Sequence, residues 1–193
     1  MIDIVDKKKW RDVFPGVDLI PVDFAGTAFD GNPTLDEIKA LRQIALFIRA
    51  QTIFEIGTFN GQTAIALASL PGIQQVWTLD LSPAERPSLP ILVGDWRYIG
   101  TPKPDYPKNV IQLWGDSATF DFSWCFGKCD VVFVQGAHSL DYIYNDLEIA
   151  QKLVNVNGVI VLHAGTSDPL KAIGDDYDLA YVTDRMVMVL GEN

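Results

Sequence analysis

The alternation of short β-forming runs with helical patterns from residue 52 onward constrains the fold of this chain most strongly. The runs predict strands at residues 52–56, 75–79, 110–114, 130–134, 159–163, 179–183 and 186–190. Helices are predicted between them, at about residues 61–70, 140–154 and 169–174. The fourth and fifth runs are almost continuously apolar, which is typical of strands covered on both faces. The pattern therefore predicts an α/β sandwich built on a mostly parallel sheet.

The last two predicted strands are joined by only a short turn at Asp184. So short a link joins antiparallel strands, because parallel neighbours need a long crossover connection. The sequence therefore predicts a seven-stranded sheet with an antiparallel last strand.

The chain length of 193 residues fits one domain, which we place at residues 34–193. Thr34 and Glu37 form a capping box, and the apolar residues that follow at spacings of three and four predict an amphipathic helix. Residues 1–33 contain several prolines and glycines and are predicted to form an irregular arm lying over the domain.

Residues 81–109 contain six prolines and are predicted to be a loop inserted after the second strand. Ligands bind at the carboxyl ends of strands in open α/β sheets, so the loop is either a lid over a substrate or a surface excursion. Four aromatic residues are candidates for an apolar wall beside the substrate, although ordinary packing explains them equally well: Phe24, Phe29, Trp96 and Tyr98.

Composition and charge exclude several classes of protein. The formal net charge is −10, which repels a nucleic-acid backbone. The apolar runs fall far short of the ~20 residues needed to cross a bilayer, and residues 1–10 lack the apolar core of a signal peptide, so we expect a cytoplasmic protein. The spacing of Cys125 and Cys129 matches neither a redox C-x-x-C motif nor a zinc ribbon, which predicts two reduced, buried thiols.

The strongest local motif is the turn between the first strand and the helix that follows it, Phe-Glu-Ile-Gly-Thr-Phe-Asn-Gly-Gln-Thr at residues 54–63. Gly57 allows a sharp turn, and Gly61 allows the helix to begin close to a ligand. Phe59 and Gln62 stand where a dinucleotide fingerprint needs glycine, which disfavours a nicotinamide oxidoreductase. Glu55 would repel a phosphate but would suit an ammonium or sulfonium group.

The next two strands also end in acidic residues. Asp80 follows the second strand and can accept both hydroxyls of a ribose. Asp116 follows the third strand, where it and the adjacent backbone can bond the exocyclic amine of adenine. An aspartate after a strand is often only a turn former, but three such strand ends in order predict a nucleoside site.

These motifs, together with Val-Gln-Gly-Ala-His-Ser at residues 134–139, resemble those of class I S-adenosyl-L-methionine-dependent methyltransferases, particularly the Methyltransferase 24 family. The resemblance covers about residues 30–190 and implies a Rossmann-like three-layer sandwich. It also implies that the methionine part of the cofactor is faced by Glu55, Gly57, Thr58 and Gly61, the ribose by Asp80, and the adenine by Asp116 with Ser117. The remaining expected cofactor contacts are Phe59, Asn60, Thr63, Leu81, Gln135 and His138.

Two departures from the family pattern concern a metal ion. Metal-dependent relatives carry acidic ligands after the fourth and fifth strands, where this chain has Gln135 and Ala164. A divalent cation such as Mg²⁺ prefers carboxylate oxygens, so no metal is predicted at this site. Asp141, Asp146 and Asp168 are possible substitutes, but the helical positions of the first two favour capping or a solvated face.

The only two histidines, His138 and His163, are predicted at the carboxyl ends of adjacent strands. Either can act as the catalytic general base that removes a proton from the acceptor during methyl transfer. In the alternative interpretation, His138 caps a helix or touches the cofactor, and His163 is a hydrogen-bonded strand-end residue.

The sequence thus predicts an S-adenosylmethionine-dependent methyltransferase that acts on a small-molecule acceptor, on oxygen in preference to nitrogen, without a metal. Methyl transfer is an in-line displacement for which the enzyme mainly supplies position, so a metal is not obligatory. The alternative is a cofactor-binding protein that has lost transferase activity. The sequence is compatible with a homo-oligomer.

Overall fold

The computed structural model describes residues 7–26, 32–82, 84 and 106–192. Phe29, Trp96, Tyr98 and most of the predicted 81–109 loop lie outside the described residues. The strands are β1 (Thr52–Ile56), β2 (Gln75–Asp80), β3 (Val110–Trp114), β4 (Cys129–Val134), β5 (Val154–His163), β6 (Tyr177–Tyr181) and β7 (Met186–Glu192). The helices are α1 (Trp10–Val13), α2 (Leu35–Phe47), α3 (Gln62–Ala68), α4 (Leu140–Leu153) and α5 (Ser167–Ile173), with 3₁₀ turns at Val17–Leu19 and Ser123–Cys125.

The seven strands form one sheet in the order β3-β2-β1-β4-β5-β7-β6. The pairings from β3 to β5 are parallel, whereas β7 pairs antiparallel with both β5 and β6. The predicted mostly parallel sheet with a reversed last strand is therefore confirmed. The last strand of the sequence does not lie at the edge, because β7 inserts between β5 and β6.

Strand β5 is longer than the sequence pattern predicted, since it begins at Val154, directly after the end of α4. The added segment contains Asn155, Asn157 and Gly158, which are typical of turns, and this composition concealed it. The bond from Asn155 Nδ2 to Asp130 Oδ1, 2.7 Å long, holds the segment beside β4.

Helices cover both faces of the sheet and create two apolar layers. Alternate residues of β1 enter opposite layers: Ile53 packs in the layer that contains Leu41 of α2, and Phe54 packs in the layer that contains Leu147 of α4. Helix α3 joins the first layer and α5 the second. The molecule is therefore a Rossmann-like three-layer sandwich.

Helix α2 begins at the predicted capping box. Thr34 Oγ1 accepts a hydrogen bond of 3.2 Å from Glu37 N, and Glu37 Oε2 accepts one of 2.7 Å from Thr34 N. In the described part of the N-terminal arm, Trp10 and Val17 are buried in the α2 layer. Tyr181 N donates to the Lys8 carbonyl at 2.8 Å, which ties the arm to β6, the edge strand of the sheet.

Two further sequence expectations concern the cysteines and the membrane. Cys125 and Cys129 are free and buried, with their Sγ atoms 3.4 Å apart, which confirms the predicted pair of reduced thiols. Within the described residues, no helix has the length and apolar character needed to span a membrane.

Candidate functional site

The carboxyl ends of the central strands are joined by their backbones. The register pairs Glu55 of β1 with Thr78 of β2, and Asp80 of β2 with Trp114 of β3. Three backbone hydrogen bonds join neighbouring strand ends. Gly57 N, after β1, donates to Leu79 O of β2 at 2.8 Å, and Gly115 N, after β3, donates to Asp80 O of β2 at 2.9 Å. Gln135 N, after β4, donates to Ile56 O of β1 at 2.8 Å. The acidic residues that the sequence places at successive strand ends therefore lie along one edge of the sheet.

Glu55 is completely buried at this edge. Its Oε2 accepts a hydrogen bond of 2.5 Å from Thr78 Oγ1, and its Oε1 accepts one of 2.7 Å from Gln135 Nε2. Burial raises the pKa of Glu55 to about 8, and the negative charge of Asp80 adds to this rise. A cation brought close to this carboxyl group would favour its ionised form.

A polar network extends behind Glu55 on the α3 side of the sheet. The hydroxyls of Thr58 and Thr78 share a hydrogen bond of 2.6 Å, and Gln112 Nε2 donates to Thr58 Oγ1 at 2.9 Å. Tyr106 OH in turn donates to Gln112 Oε1 at 3.0 Å. Sequence reasoning missed both Gln112 and Tyr106, since an isolated glutamine in a strand and a tyrosine in a proline-rich segment carry no local signal for this contact.

The two glycines of the β1–α3 turn are required by contacts within the protein. Gly57 has φ +98°, and a Cβ atom there would lie 2.5 Å from the carbonyl oxygen of Gln135. Gly61 has φ +77°, and its Cβ would lie 2.5 Å from the hydroxyl of Tyr106. The expectation that Gly61 makes room directly for a ligand is therefore incomplete, because the group that a side chain would meet is Tyr106.

Asp80 orders the backbone on either side of the site. Its Oδ2 accepts a hydrogen bond of 2.9 Å from Phe59 N, and its Oδ1 accepts one of 2.8 Å from Leu81 N. Phe59 is held in the left-handed region at φ +50°, which is uncommon for a residue with a large side chain. The same carboxylate thus fixes both the turn after β1 and the first residue after β2.

Asn60 and Thr63 lie at the start of α3. Asn60 Oδ1 accepts a hydrogen bond of 3.1 Å from Gln62 N and so satisfies one donor of the first turn. Thr63 is buried, and its hydroxyl has no hydrogen-bond partner among the described residues.

Asp116 joins the end of β3 to α4. Its Oδ1 accepts a hydrogen bond of 2.9 Å from Ala118 N, and its Oδ2 accepts one of 2.8 Å from Tyr142 OH. Burial and this hydrogen bond to Asp116 raise the pKa of Tyr142 to about 12, so its hydroxyl remains a donor at neutral pH. Sequence reasoning did not identify Tyr142.

Asp146 is buried under the loop that connects β4 to α4, so its predicted place on a solvated helix face is wrong. A Cβ atom at Gly136 would lie 3.2 Å from Asp146 Oδ2, and that oxygen has no hydrogen-bond partner among the described residues. Burial raises the pKa of Asp146 to about 6, and both Ser117 and Asp116 are close enough to influence it. Asp141, by contrast, is exposed.

His138 and His163 lie together at the ends of β4 and β5. Their ring centroids are 5.9 Å apart in an edge-to-face arrangement with an interplanar angle of 75°. His163 is 2% exposed, whereas His138 is exposed and its ring covers Gly165, where a Cβ atom would lie 2.9 Å from His138 Cδ2. The two imidazoles thus contact each other edge to face, with His138 exposed and His163 buried behind it.

Both histidines are neutral at physiological pH. Burial lowers the pKa of His163 to about 4. Partial burial, together with the positive charge of Arg185, also lowers the pKa of His138. Neither ring nitrogen of His163 has a hydrogen-bond partner among the described residues, which gives no support to the alternative of a hydrogen-bonded strand-end histidine.

The two positions that carry acidic ligands in metal-dependent relatives do not fit a divalent cation here. The amide nitrogen of Gln135 donates to Glu55, and Ala164 is completely buried in the apolar layer beneath α4 and α5. In residues 7–26, 32–82, 84 and 106–192, no three His, Cys, Asp or Glu side chains are arranged to hold a metal ion. Asp168 is instead paired with Lys171 at 2.8 Å.

Phe24 does not belong to the group of residues at the strand ends. Its ring lies 5.4 Å from the guanidinium carbon of Arg42, and that guanidinium bonds Ala66 and Ser69 at the C-terminal end of α3. This contact favours the interpretation of Phe24 as ordinary packing, and its place beside a substrate stays a prediction.

Comparisons with known proteins agree with this architecture. A family model described as a methyltransferase domain matches residues 54–164. No curated protein sequence matches the chain at a significant level.

Three solved structures are similar to this chain at low sequence identity. SAH-bound methyltransferase PaMTH1 from Podospora anserina is 15% identical with a TM-score of 0.57, and the match covers 84% of this chain and 81% of that one. An O-methyltransferase from Bacillus cereus in complex with SAH is 16% identical with a TM-score of 0.51, and the match covers 82% of each chain. Cofactor-bound Rv0187 from MTB is 21% identical with a TM-score of 0.53, over 83% of this chain and 81% of that one. These likenesses show the fold.

Proposed function

The chain belongs to the methyltransferase domain family and is an S-adenosylmethionine-dependent methyltransferase, and we propose that it methylates an oxygen of a small-molecule acceptor without a metal ion. The observation that carries the proposal is the pair of imidazoles of His138 and His163, whose ring centroids lie 5.9 Å apart at the ends of β4 and β5. This pair supplies a proton acceptor where metal-dependent relatives carry acidic ligands.

The acidic residues at the carboxyl ends of the strands fit the positive charge of the cofactor. S-adenosylmethionine carries an ammonium and a sulfonium group, and a buried carboxyl group such as Glu55 gains stability on ionisation when a cation approaches. None of the ion pairs in the described part of the chain involves Glu55 or Asp116. The hydroxyl of Thr63 at the start of α3 is buried and has no hydrogen-bond partner among the described residues.

We assign the cofactor contacts along the edge in chain order. The residues proposed for the methionine part are Glu55, Gly57, Thr58, Phe59, Asn60, Gly61 and Thr63. Asp80 and Leu81 are assigned to the ribose, Asp116 and Ser117 to the adenine, and Gln135 and His138 to the end that carries the methyl group. Glu55, Thr58 and Thr63 are buried. These three residues therefore affect the cofactor mainly through the charge and shape of the site, and less through direct contact area with it.

Proton removal is assigned to His138. When bound, the cofactor supplies an electrophilic methyl group. His138 accepts the proton of the acceptor hydroxyl at a ring nitrogen while the new carbon–oxygen bond forms and the carbon–sulfur bond breaks, and its exposed face then releases the proton to solvent. The second imidazole, His163, fixes the ring of His138 from behind. The protein otherwise contributes position, which supports displacement reactions without a metal.

The acceptor is proposed to lie between the ends of β4 and β5, next to His138. The net charge of −10 opposes binding of nucleic acid, which supports a small molecule as the acceptor. The cytoplasmic location stays a prediction.

The second candidate function is cofactor binding without transfer, and the replaced acidic positions Gln135 and Ala164 are the observation that favours it. Titration calorimetry with S-adenosylmethionine, followed by a methyl-transfer assay on phenolic, carboxyl and amine acceptors with and without EDTA, separates the candidates. We expect binding and EDTA-insensitive turnover on a hydroxyl. Binding with no turnover on any acceptor would favour the second candidate, and EDTA-sensitive turnover would contradict the metal-free mechanism.

A control for the binding step uses two acidic residues that differ in position. Asp80→Ala removes the carboxylate that orders Phe59 and Leu81, and we expect it to weaken cofactor binding by ~1–3 kcal/mol. Asp141→Ala changes an exposed carboxylate on α4 and is expected to leave the affinity unchanged. Equal affinity for S-adenosylmethionine in both variants would contradict the assignment of Asp80 to the cofactor site.

A further inference from the structure

We propose that Glu37 is a positioning residue for His163 and, through His163, for the proton acceptor His138. The inference rests on the proposed function insofar as His138 is taken to receive the proton. Glu37 lies outside residues 54–164, the part matched by the family model, so the match itself assigns it no role.

Glu37 is buried and receives donors from three directions. Its Oε2 accepts hydrogen bonds from Thr34 N at 2.7 Å and Arg185 Nη2 at 3.0 Å, and its Oε1 accepts one from Thr183 Oγ1 at 2.7 Å. Burial alone would raise the pKa of Glu37, but the hydrogen bonds from Thr183 and Thr34 and the charges of His163 and Arg185 lower it overall. Glu37 is therefore a buried carboxylate that is ionised at neutral pH.

These contacts fix Glu37 relative to the end of β5. Thr183 Oγ1 also accepts from Arg185 N at 3.2 Å and from Met186 N at 3.1 Å, which shapes the turn between β6 and β7. The carbonyl of Arg185 accepts from Ala164 N at 2.8 Å and ties that turn to the residue after His163. The start of α2, the β6–β7 turn and the end of β5 thus meet around one carboxylate.

Helix capping does not account for this arrangement. The capping box uses only the contacts between Glu37 and Thr34, and a glutamate at that helix position can cap the helix while it remains in solvent. Burial of an ionised carboxylate is costly unless it is paired. Glu37 faces His163, whose Nε2 lies 3.8 Å from Glu37 Oε2 and whose two ring nitrogens have no hydrogen-bond partner among the described residues.

Among the charged groups around His163, Glu37 differs from the others in the direction of its effect on the pKa of His163. The described ionisable groups that influence His163 are Glu37 from α2, His138 from the β4–α4 loop and Arg185 from the β6–β7 turn. Burial lowers the pKa of His163, His138 and Arg185 act in the same direction, and Glu37 acts in the opposite one. Glu37 therefore stabilises positive charge on the imidazole pair, which is the charge that develops when His138 takes a proton.

The experiment uses nuclear magnetic resonance titration of the two histidines, which are the only ones in the chain, in the full-length protein without acceptor. Glu37→Gln keeps the shape and can still bond Thr34 and Thr183, but it removes the negative charge. We expect the pKa of His163 to fall by about one unit or more, because a charge within ~4–6 Å shifts a pKa by that amount. Arg185→Gln removes a positive charge and is expected to raise the pKa of both histidines.

Glu148→Gln, at an exposed position on α4, is the matched control and is expected to change neither titration. In a methyl-transfer assay, Glu37→Gln is expected to shift the acidic limb of the kcat profile to lower pH with KM unchanged. If both histidines titrate as in the unmodified protein in Glu37→Gln and in Arg185→Gln, the inference is overturned. Opposite shifts in a protein that shows no turnover would contradict the proposed function but would leave the coupling of Glu37 to His163 established.

Discussion

Gln135 donates a hydrogen bond of 2.7 Å to the buried carboxyl group of Glu55 and thereby joins the end of β4 to β1. The resemblance to metal-dependent methyltransferases implies an acidic residue at the position of Gln135. An acidic side chain there would face a carboxyl group whose pKa is already raised to about 8 by burial. The amide is therefore suited to its neighbour, because it donates to the carboxyl group of Glu55 and adds no ionisable group beside it.

This relationship predicts the effect of Gln135→Glu. The variant loses a donor to a buried carboxyl group and places two acidic groups in contact, so we expect a loss of ~1–3 kcal/mol in the free energy of unfolding at a pH above the pKa of Glu55, where both groups ionise. The loss should shrink at acidic pH, where both groups are protonated. Denaturant unfolding at the two pH values checks this, with the exposed Gln74→Glu as control. A loss of equal size at both pH values would contradict the electrostatic explanation.

Glu55 predicts opposite pH trends for stability and for cofactor affinity. Its folded pKa of about 8 exceeds its ordinary value of 4.5, so the folded state holds a proton that the unfolded state releases, and stability falls as pH rises between these values. Affinity for the cationic cofactor should rise over the same range because Glu55 ionises. Titration calorimetry with S-adenosylmethionine across this pH range measures the rise in affinity. Glu55→Gln should abolish this rise, whereas Asp141→Asn, at an exposed position, should leave it unchanged. Identical pH trends in Glu55→Gln and the unmodified chain would refute this assignment.

Features set by neighbouring residues in the chain could be predicted from the sequence, whereas those set by distant residues could not. The capping box of Thr34 and Glu37 and the alternating strands are local patterns. The contact between Thr183 and Glu37 joins positions 146 residues apart, and no local spacing indicates it. The start of α2 could therefore be predicted from the sequence, whereas the contacts of Glu37 with Thr183 and Arg185 could not.

Asp146 is a different case, because the sequence did contain a signal for its burial. It lies three residues after Ile143 and four before Ala150, both of which are buried on α4, and so it shares the apolar stripe of that helix. A solvated face was predicted because the side chain of Asp146 is acidic, although the periodicity indicated burial. The contact of Tyr106 with Gly61 could not be predicted, since the two residues lie far apart in the chain and no local spacing indicates it.

The contact between Gly61 and Tyr106 predicts a coupled response to mutation. Gly61→Ala places a Cβ atom against the Tyr106 hydroxyl at φ +77°, so we expect it to destabilise the protein by roughly 1–3 kcal/mol. Tyr106→Phe removes the hydroxyl and should recover part of this loss in the double variant. Unfolding of the two single variants and the double variant measures the coupling. Strictly additive losses would mean that the hydroxyl of Tyr106 does not require the glycine, which leaves the aromatic ring of Tyr106 and the backbone conformation at Gly61 as the causes.

The exposed imidazole predicts how turnover depends on His138. His138→Asn removes the proton acceptor but leaves Asp80, Asp116 and the β1–α3 turn in place, so we expect kcat to fall by about 10²–10⁴-fold, a much larger effect than the loss of the His138 contact has on affinity for S-adenosylmethionine. His163→Asn should lower kcat less, because its ring is buried and acts by supporting His138. Single-turnover kinetics with an active acceptor, paired with calorimetry, separates chemistry from binding. A greater loss in His163→Asn than in His138→Asn would reverse the roles assigned to the two rings.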